Sequence, residues 1–297
     1  MHELLAIEVL LFDLYEWGTL GLVRLSGYQP QYFPRLHYFA RMFDSHIFTI
    51  ADYLQYVRKH VYEHKDGSRS SGVSYQAHVP IKTRAGVETL GIPVQRALNQ
   101  TIREAKIDYS TDWYDTHLNI IHDSYHKAPN FDTLYPDLVC LLTFRHASLA
   151  DLTCSSIIWG LARLFELPVG PRRDSASTIN ALLPIAPFRL ERLILLSERV
   201  VAPPDKEKGR DANEWLIEQC KVFGADEYHF GGTSAQAYMD FNRFAQSNIA
   251  LSEQNWQCRE YPQLFGAFVP NLSIVDLLMN VSPREAREIL HTPATRI

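Results

Sequence analysis

Five polar side chains fall just after two apolar runs near the start of the chain. Gln29 and Tyr32 follow residues 22–25, and Asp52, Gln55 and Tyr56 follow residues 47–51. Tyrosine hydroxyls and amides at strand ends suit recognition of a small polar substrate. Asp52 becomes a general base if burial raises its pKa. The Gln29-Pro30 pair reads equally well as a structured turn. Further on, Phe230-Gly231-Gly232-Thr233-Ser234 joins an expected strand to an expected helix. Gly231 and Gly232 let backbone approach an anion, and the helix start offers free N–H groups. The same residues also serve a plain turn capped by Thr233 or Ser234. Ser273 and Asp276 have S-x-x-D spacing, which reads first as an N-cap and a first-turn acid. Cys154 lies in the apolar stretch DLTCSSIIW, where a cysteine is normally buried and inert. No G-x-S-x-G elbow, Walker A or G-x-G-x-x-G motif is present. His122 and His126, like His60 and His64, have helical spacing. No Glu follows His122 as a zincin requires and no third ligand is evident, and His60 with His64 makes a weaker case, so no metal site is expected.

The elements that must position these groups alternate in type. A strand at 22–25, the loop 27–34, a helix to about 43 and a strand at 47–51 form a strand–loop–helix–strand unit. Such sheets place ligands at the carboxyl ends of their strands. Residues 63–72 read as a mobile loop. Short strands are expected at 74–81, 88–94 and 101–107, then helices at 113–127, 131–142 and 148–167. Residues 169–188 read as an irregular crossover loop and 202–211 as a linker. The last third reads α–β–α–β: helix 212–223, strand 227–230, helix 234–244, strand 249–251. Helices at 273–280 and 283–291 close the chain. The fold class is α/β, two such units around a helical middle segment, with a mixed sheet. The expected divisions are a helical extension at 1–20, an α/β and helical part at 21–201 and an α/β part at 212–297. One continuous domain over 21–297 is the alternative.

Composition narrows the function classes. The chain has 297 residues, a formal net charge of −5, 46% hydrophobic and 21% charged residues, as globular proteins do. An acidic balance argues against a dedicated nucleic-acid binder. Four cysteines without C-x-x-C spacing fit a reducing cytoplasm. The apolar run at 4–12 is broken by Glu8 and lacks a basic leader, so neither a signal peptide nor membrane insertion is expected. Aromatics reach 12%, including 15 tyrosines, many in polar or Gly/Pro-rich stretches.

These motifs together resemble a known family. Gly27-Tyr28-Gln29-Pro30-Gln31-Tyr32-Phe33-Pro34, then Tyr38-Phe39, resembles the N-terminal signature of the WbqC-like protein family, as does Asp52 followed by Gln55-Tyr56. Trp113, His117 and 125–131 (YHKAPNF) resemble its central block. Gly224-Ala225-Asp226-Glu227-Tyr228, Gly231-Gly232, Tyr238 and Phe244 resemble a third. Tyr261-Pro262-Gln263, Phe268, Leu272-Ser273-Ile274, Asp276-Leu277-Leu278 and Asn280 resemble the closing block. The likeness runs over about 22–282.

The resemblance implies transfer of an acyl or aminoacyl group to an amine in O-antigen, polysaccharide or specialised-metabolite assembly. The expected partners are an acceptor amine and a thioester or aminoacyl ester donor carried on CoA or an acyl carrier protein, with no tightly bound cofactor. Asp52, His78 and His117 are the base candidates. Gly231 and Gly232 or Tyr32 are the oxyanion donors. Cys154 is the nucleophile of a covalent route. Gln29, Gln55, Tyr56, Tyr125, Tyr228, Tyr238, Gln263, Ser273 and Asp276 join them as substrate-binding candidates. Two departures stand out. Ala77-His78-Val79 replaces an Asn-Arg-Asn run, so His78 stands in for an arginine, and Cys154 replaces a polar residue. The tyrosines in these blocks are expected to line one polar pocket between the two halves. A nucleotide- or nucleotide-sugar-processing enzyme is the alternative, and a non-catalytic partner of a biosynthetic complex a further one. For docking, Arg35, Arg41, Arg58, Lys59, Arg172 and Arg173 are the basic residues of interest.

Overall fold

β1 (Arg24–Tyr28) leads through the proline loop to α1 (Leu36–Phe43), which returns the chain to β2 (Ile47–Ile50). The two strands pair in parallel from Leu25↔Ile47 to Tyr28↔Ile50. This is a computed structural model, and it describes residues 22–63, 68–167, 180, 183, 189–199, 201–204, 211–231 and 239–291. The expected extension at 1–20, most of the crossover at 169–188, and Gly232 and Tyr238 lie outside the described residues.

Two antiparallel ribbons follow: β3 (Lys59–Glu63) with β4 (Arg69–Val73), and β5 (His78–Thr83) with β6 (Gly86–Gly91). The first ribbon corrects the reading of 63–72 as a loop. Its pairing is carried by backbone groups, which charged and Ser/Gly-rich composition does not forbid. The strand expected at 101–107 is a turn touched by single bridges, Gln55↔Thr101 and Val94↔Ile107. Thr101 and Glu104 cap each other's backbone N–H there, which favours a turn over a ladder. Three helices succeed it: α2 (Trp113–Tyr125), α3 (Phe131–Thr143) and α4 (Leu149–Leu164). Ser148 caps α4 by accepting from Asp151 N–H.

β7 (Arg192–Leu195) then pairs with β2. α5 (Ala212–Phe223) starts on the Asp211 cap and stops at Gly224, whose φ of +70° a side chain would resist. β8 (Glu227–Phe230), α6 (Phe241–Gln246) and β9 (Ala250–Glu253) follow. α7 (Ile274–Asn280) and α8 (Pro283–Leu290) end the described chain, the latter capped by Ser282 with proline in its first turn.

The strand order is β7-β2-β1-β8-β9, all parallel. With the antiparallel ribbons this is the expected α/β class with mixed pairing. β1 and β8 are neighbours, so the N-terminal and C-terminal parts share one sheet. Alternation along β2 divides the core. Phe48 and Ile50 pack with α1, α4 and α7, while Ile47 joins Trp215, Leu216 and Cys220 of α5. Helices therefore cover both faces, as a buried parallel sheet requires. Among the described residues no helix is long and apolar enough to cross a membrane.

Candidate functional site

The chain winds outward from β1 to β2 and β7, then crosses back to β8 and β9. The strand order reverses between β1 and β8, and open α/β sheets bind ligands in the crevice at that point. A cleft of about 290 Å3 opens there, at the carboxyl ends of β1, β2 and β8. Its wall includes Gly27, Tyr28 and Gln29 from the β1 end, Tyr228 and Gly231 from the β8 end, Trp215 and Gln219 from α5, Arg41 from α1, and Tyr75. Arg41 is only 4% exposed. Its Nε donates to Gln254 Oε1 at 3.0 Å, and its guanidinium lies 4.8 Å from the centre of the Tyr28 ring. A Cβ at Gly231 would sit 2.5 Å from Arg41 Nη2, so glycine is what lets this backbone lie against the guanidinium. Gln219, 1% exposed, accepts from Thr49 Oγ1, and its Nε2 has no partner among the described residues. Gln29 Oε1 accepts from the Tyr75 hydroxyl and from Gln76 Nε2, which also reaches Gln55 O. These amides tie the loop after β1 to the segments around Gln55 and Gln76.

A second cleft, about 530 Å3, adjoins the first and shares Tyr28 and Tyr75 with it. Those rings meet edge to face, 6.0 Å apart, as a common wall. His37 and His78 line this second cleft. His37 Nδ1 lies 3.1 Å from Asn271 Oδ1, which also accepts the His37 backbone N–H. His78 Nδ1 lies 2.9 Å from Ser74 O. Carbonyl oxygens only accept, so Nδ1 carries a hydrogen in both rings, and the neutral form of each ring has its lone pair on Nε2. Burial, with Arg41 adding to it, pushes His37 down to about 4 and keeps it neutral at pH 7.

The other candidates sit elsewhere. His117 Nδ1 and the Tyr32 hydroxyl are 3.0 Å apart, and His117 lines a third cleft of about 400 Å3 with Trp113 and Gly91. Burial pushes His117 down to about 4. Asp52 is fully buried and accepts from Ser197 N–H at 3.0 Å and Ser197 Oγ at 2.6 Å. It ties the end of β2 to the turn after β7. Cys154 is buried within the core cluster of α4. Tyr56 is half-buried and Gln55 is exposed. Ser273 accepts from Val275 N–H and donates to Phe33 O, which makes it the N-cap.

Asp276 is completely buried and gathers three donors: Tyr125 at 2.8 Å, Tyr261 at 2.7 Å and Gln263 Nε2 at 3.0 Å. Lys82 Nζ donates to Ala267 O and Gln263 Oε1 beside it. Burial raises the Asp276 pKa, and the two tyrosine hydroxyls and Lys82 oppose that rise.

The expectation of one tyrosine-lined pocket is therefore corrected. Tyr28, Tyr75 and Tyr228 line the first cleft, Tyr32 pairs with His117, and Tyr125 and Tyr261 serve Asp276. The buried hydroxyls of Tyr32, Tyr125 and Tyr261 are each bonded within the protein, while that of Tyr38 has no partner among the described residues. His37 and Gln219 were not candidates from the sequence, and Arg41 was named there only as a basic residue for docking. The signal for Arg41 was available, because an arginine in the apolar run LHYFARMF is a charge on a buried helix. Among the described residues, no group of three or more His, Cys, Asp or Glu side chains gathers to hold a metal ion.

The "Uncharacterized protein Rv1507c" of Mycobacterium tuberculosis is 28% identical over 256 residues, spanning 85% of this chain and 91% of that protein. No solved structure matches the chain. The sequence profile of the WbqC-like protein family matches residues 29–288, which hold β1's loop, both histidines and every strand of the sheet after β1, and the chain belongs to that family.

Proposed function

We propose that the protein is an acyltransferase or aminoacyltransferase that moves an activated carbonyl group onto an amine. The observation that supports this reading is the paired clefts divided by Tyr28 and Tyr75, with two imidazoles on one side. In this reading the acceptor amine occupies the histidine cleft and the thioester or aminoacyl ester the crevice at β1 and β8. The amine nitrogen attacks the carbonyl carbon and the new C–N bond forms. Nε2 of His37 or His78 takes the proton the amine loses. The Tyr28 hydroxyl donates to the oxygen as it gains charge. When the C–S or C–O bond breaks, the leaving group takes the electron pair and the imidazolium returns the proton. His78 thus keeps the base role assigned to it from sequence, and His37 joins it.

The test is a donor panel of acyl-CoAs, carrier-bound acyl groups and aminoacyl esters, offered with amino sugars and amino acids and followed by mass spectrometry. Amide product is expected, and His37→Gln and His78→Gln are each expected to lower kcat about 10²- to 10⁴-fold while the protein stays folded. Failure to consume any donor, or full activity in both variants, overturns the reading. Nucleotides belong in the same panel. Their turnover would favour the nucleotide-processing alternative, which the reversal of strand order beside Gly231 supports.

A further inference from the structure

A buried guanidinium normally sits against a carboxylate, because a lone charge away from water is poorly solvated. Arg41 has no ion-pair partner among the described residues. Its Nε is bonded to a neutral amide, and the Tyr28 ring offsets only part of the cost. Arg41 lines the crevice, and the Gly231 backbone packs directly against its Nη2.

Two further donors share the wall. Gln219 Nε2 is buried without a partner, and Gln29 spends its Oε1 on Tyr75 and Gln76, which leaves its own amide hydrogens unspent. No aspartate or glutamate among the described residues lines this crevice. In a chain of net charge −5, a cleft whose described residues offer three donor groups and no carboxylate is a local inversion of sign.

We propose that this crevice binds the anionic end of a small-molecule ligand, a carboxylate or a phosphate, with Arg41 as the anchor. Guanidinium matches either group with two parallel N–H donors. Gln29 and Gln219 complete the donor set, and the absence of a side chain at Gly231 lets the guanidinium sit in the crevice wall. The proposal concerns binding alone and stands whether or not an acyl group is transferred.

The test is protection of Arg41 in the full-length protein. Phenylglyoxal modifies accessible arginines, and peptide mass mapping reads each site separately. Inorganic phosphate and acetate are the two probes, with chloride at equal ionic strength as the control. At ten times its Kd, the anion that fits slows Arg41 modification about tenfold and leaves the exposed Arg284 unchanged. Protection by phosphate alone names a phosphorylated ligand, and by acetate alone a carboxylate. Arg41 that is modified at a measurable rate, equal in all three salts, overturns the proposal. As a second measurement, Arg41→Gln abolishes the thermal stabilisation by the protecting anion, and Arg41→Lys keeps part of it. A folded Arg41→Gln protein that is stabilised as much as the wild type also overturns it. Protection without amide formation would leave the site standing and remove the transfer reading alone.

Discussion

Asp276 accepts three hydrogen bonds in a place closed to water, so each donor around it depends on that one carboxylate. Removing the hub strands all the donors, whereas removing one donor costs a single bond. Asp276→Ala is therefore expected to lose about 3–5 kcal/mol of stability, and Tyr261→Phe about 1 kcal/mol. Urea unfolding of the two variants checks this, and equal losses would show that the hub is not the common partner. The residue types in this cluster are legible in the sequence, since Tyr125, Tyr261, Gln263 and Asp276 all fall in the family-like blocks. Their meeting is not legible. It depends on α2, the 261–269 segment and α7 converging, with Tyr125 and Asp276 151 positions apart. Asp52 shows the same limit, because nothing local announces Ser197 as its partner.

Helix α4 runs through the core with nearly every side chain buried. A Cβ at Gly160 would lie 2.8 Å from Phe39 Cζ, where α4 crosses α1. Two effects compete on Gly160→Ala. Helix propensity favours alanine by about 1 kcal/mol, and overpacking a closed core costs about 1–3 kcal/mol. Close packing wins, so the variant is expected to be destabilised by about 1 kcal/mol. A raised melting temperature would show that Phe39 swings aside freely. Elements with capping chemistry were the readable ones. Asp211 and Gly224 bound α5, Ser282 opens α8, and the expected ranges match closely. β3 and β4 were unreadable because their ladder needs only backbone, and β7 because its short apolar run lies beyond a proline-rich stretch.

Across the whole molecule, burial depresses several imidazoles, His37 and His117 to about 4 and His229 to about 3. The unfolded chain takes up these protons below about pH 6.5, while the folded one refuses them until about pH 4. Stability is thus full above pH 6.5 and falls on acidification, by up to about 1.4 kcal/mol per pH unit per histidine. Asp44 and Asp276, raised by burial, act with the opposite sign above the ordinary carboxylate pKa. Urea midpoints are expected to be lower at pH 5 than at pH 7.5, and a higher midpoint at pH 5 would show charged imidazoles in the fold. The α/β class was legible from alternating elements, but the strand order was not, because β1 and β8 come from opposite ends of the chain. That pairing has a consequence for the newborn protein. β1 is made first yet lies in the middle of the sheet, and Arg24 waits 203 positions for Glu227. At about 5–20 residues per second, the ribosome leaves that strand edge open for roughly 10–40 s. An open edge invites foreign strands. The nascent chain therefore needs shelter longest at the very strand that later floors its crevice.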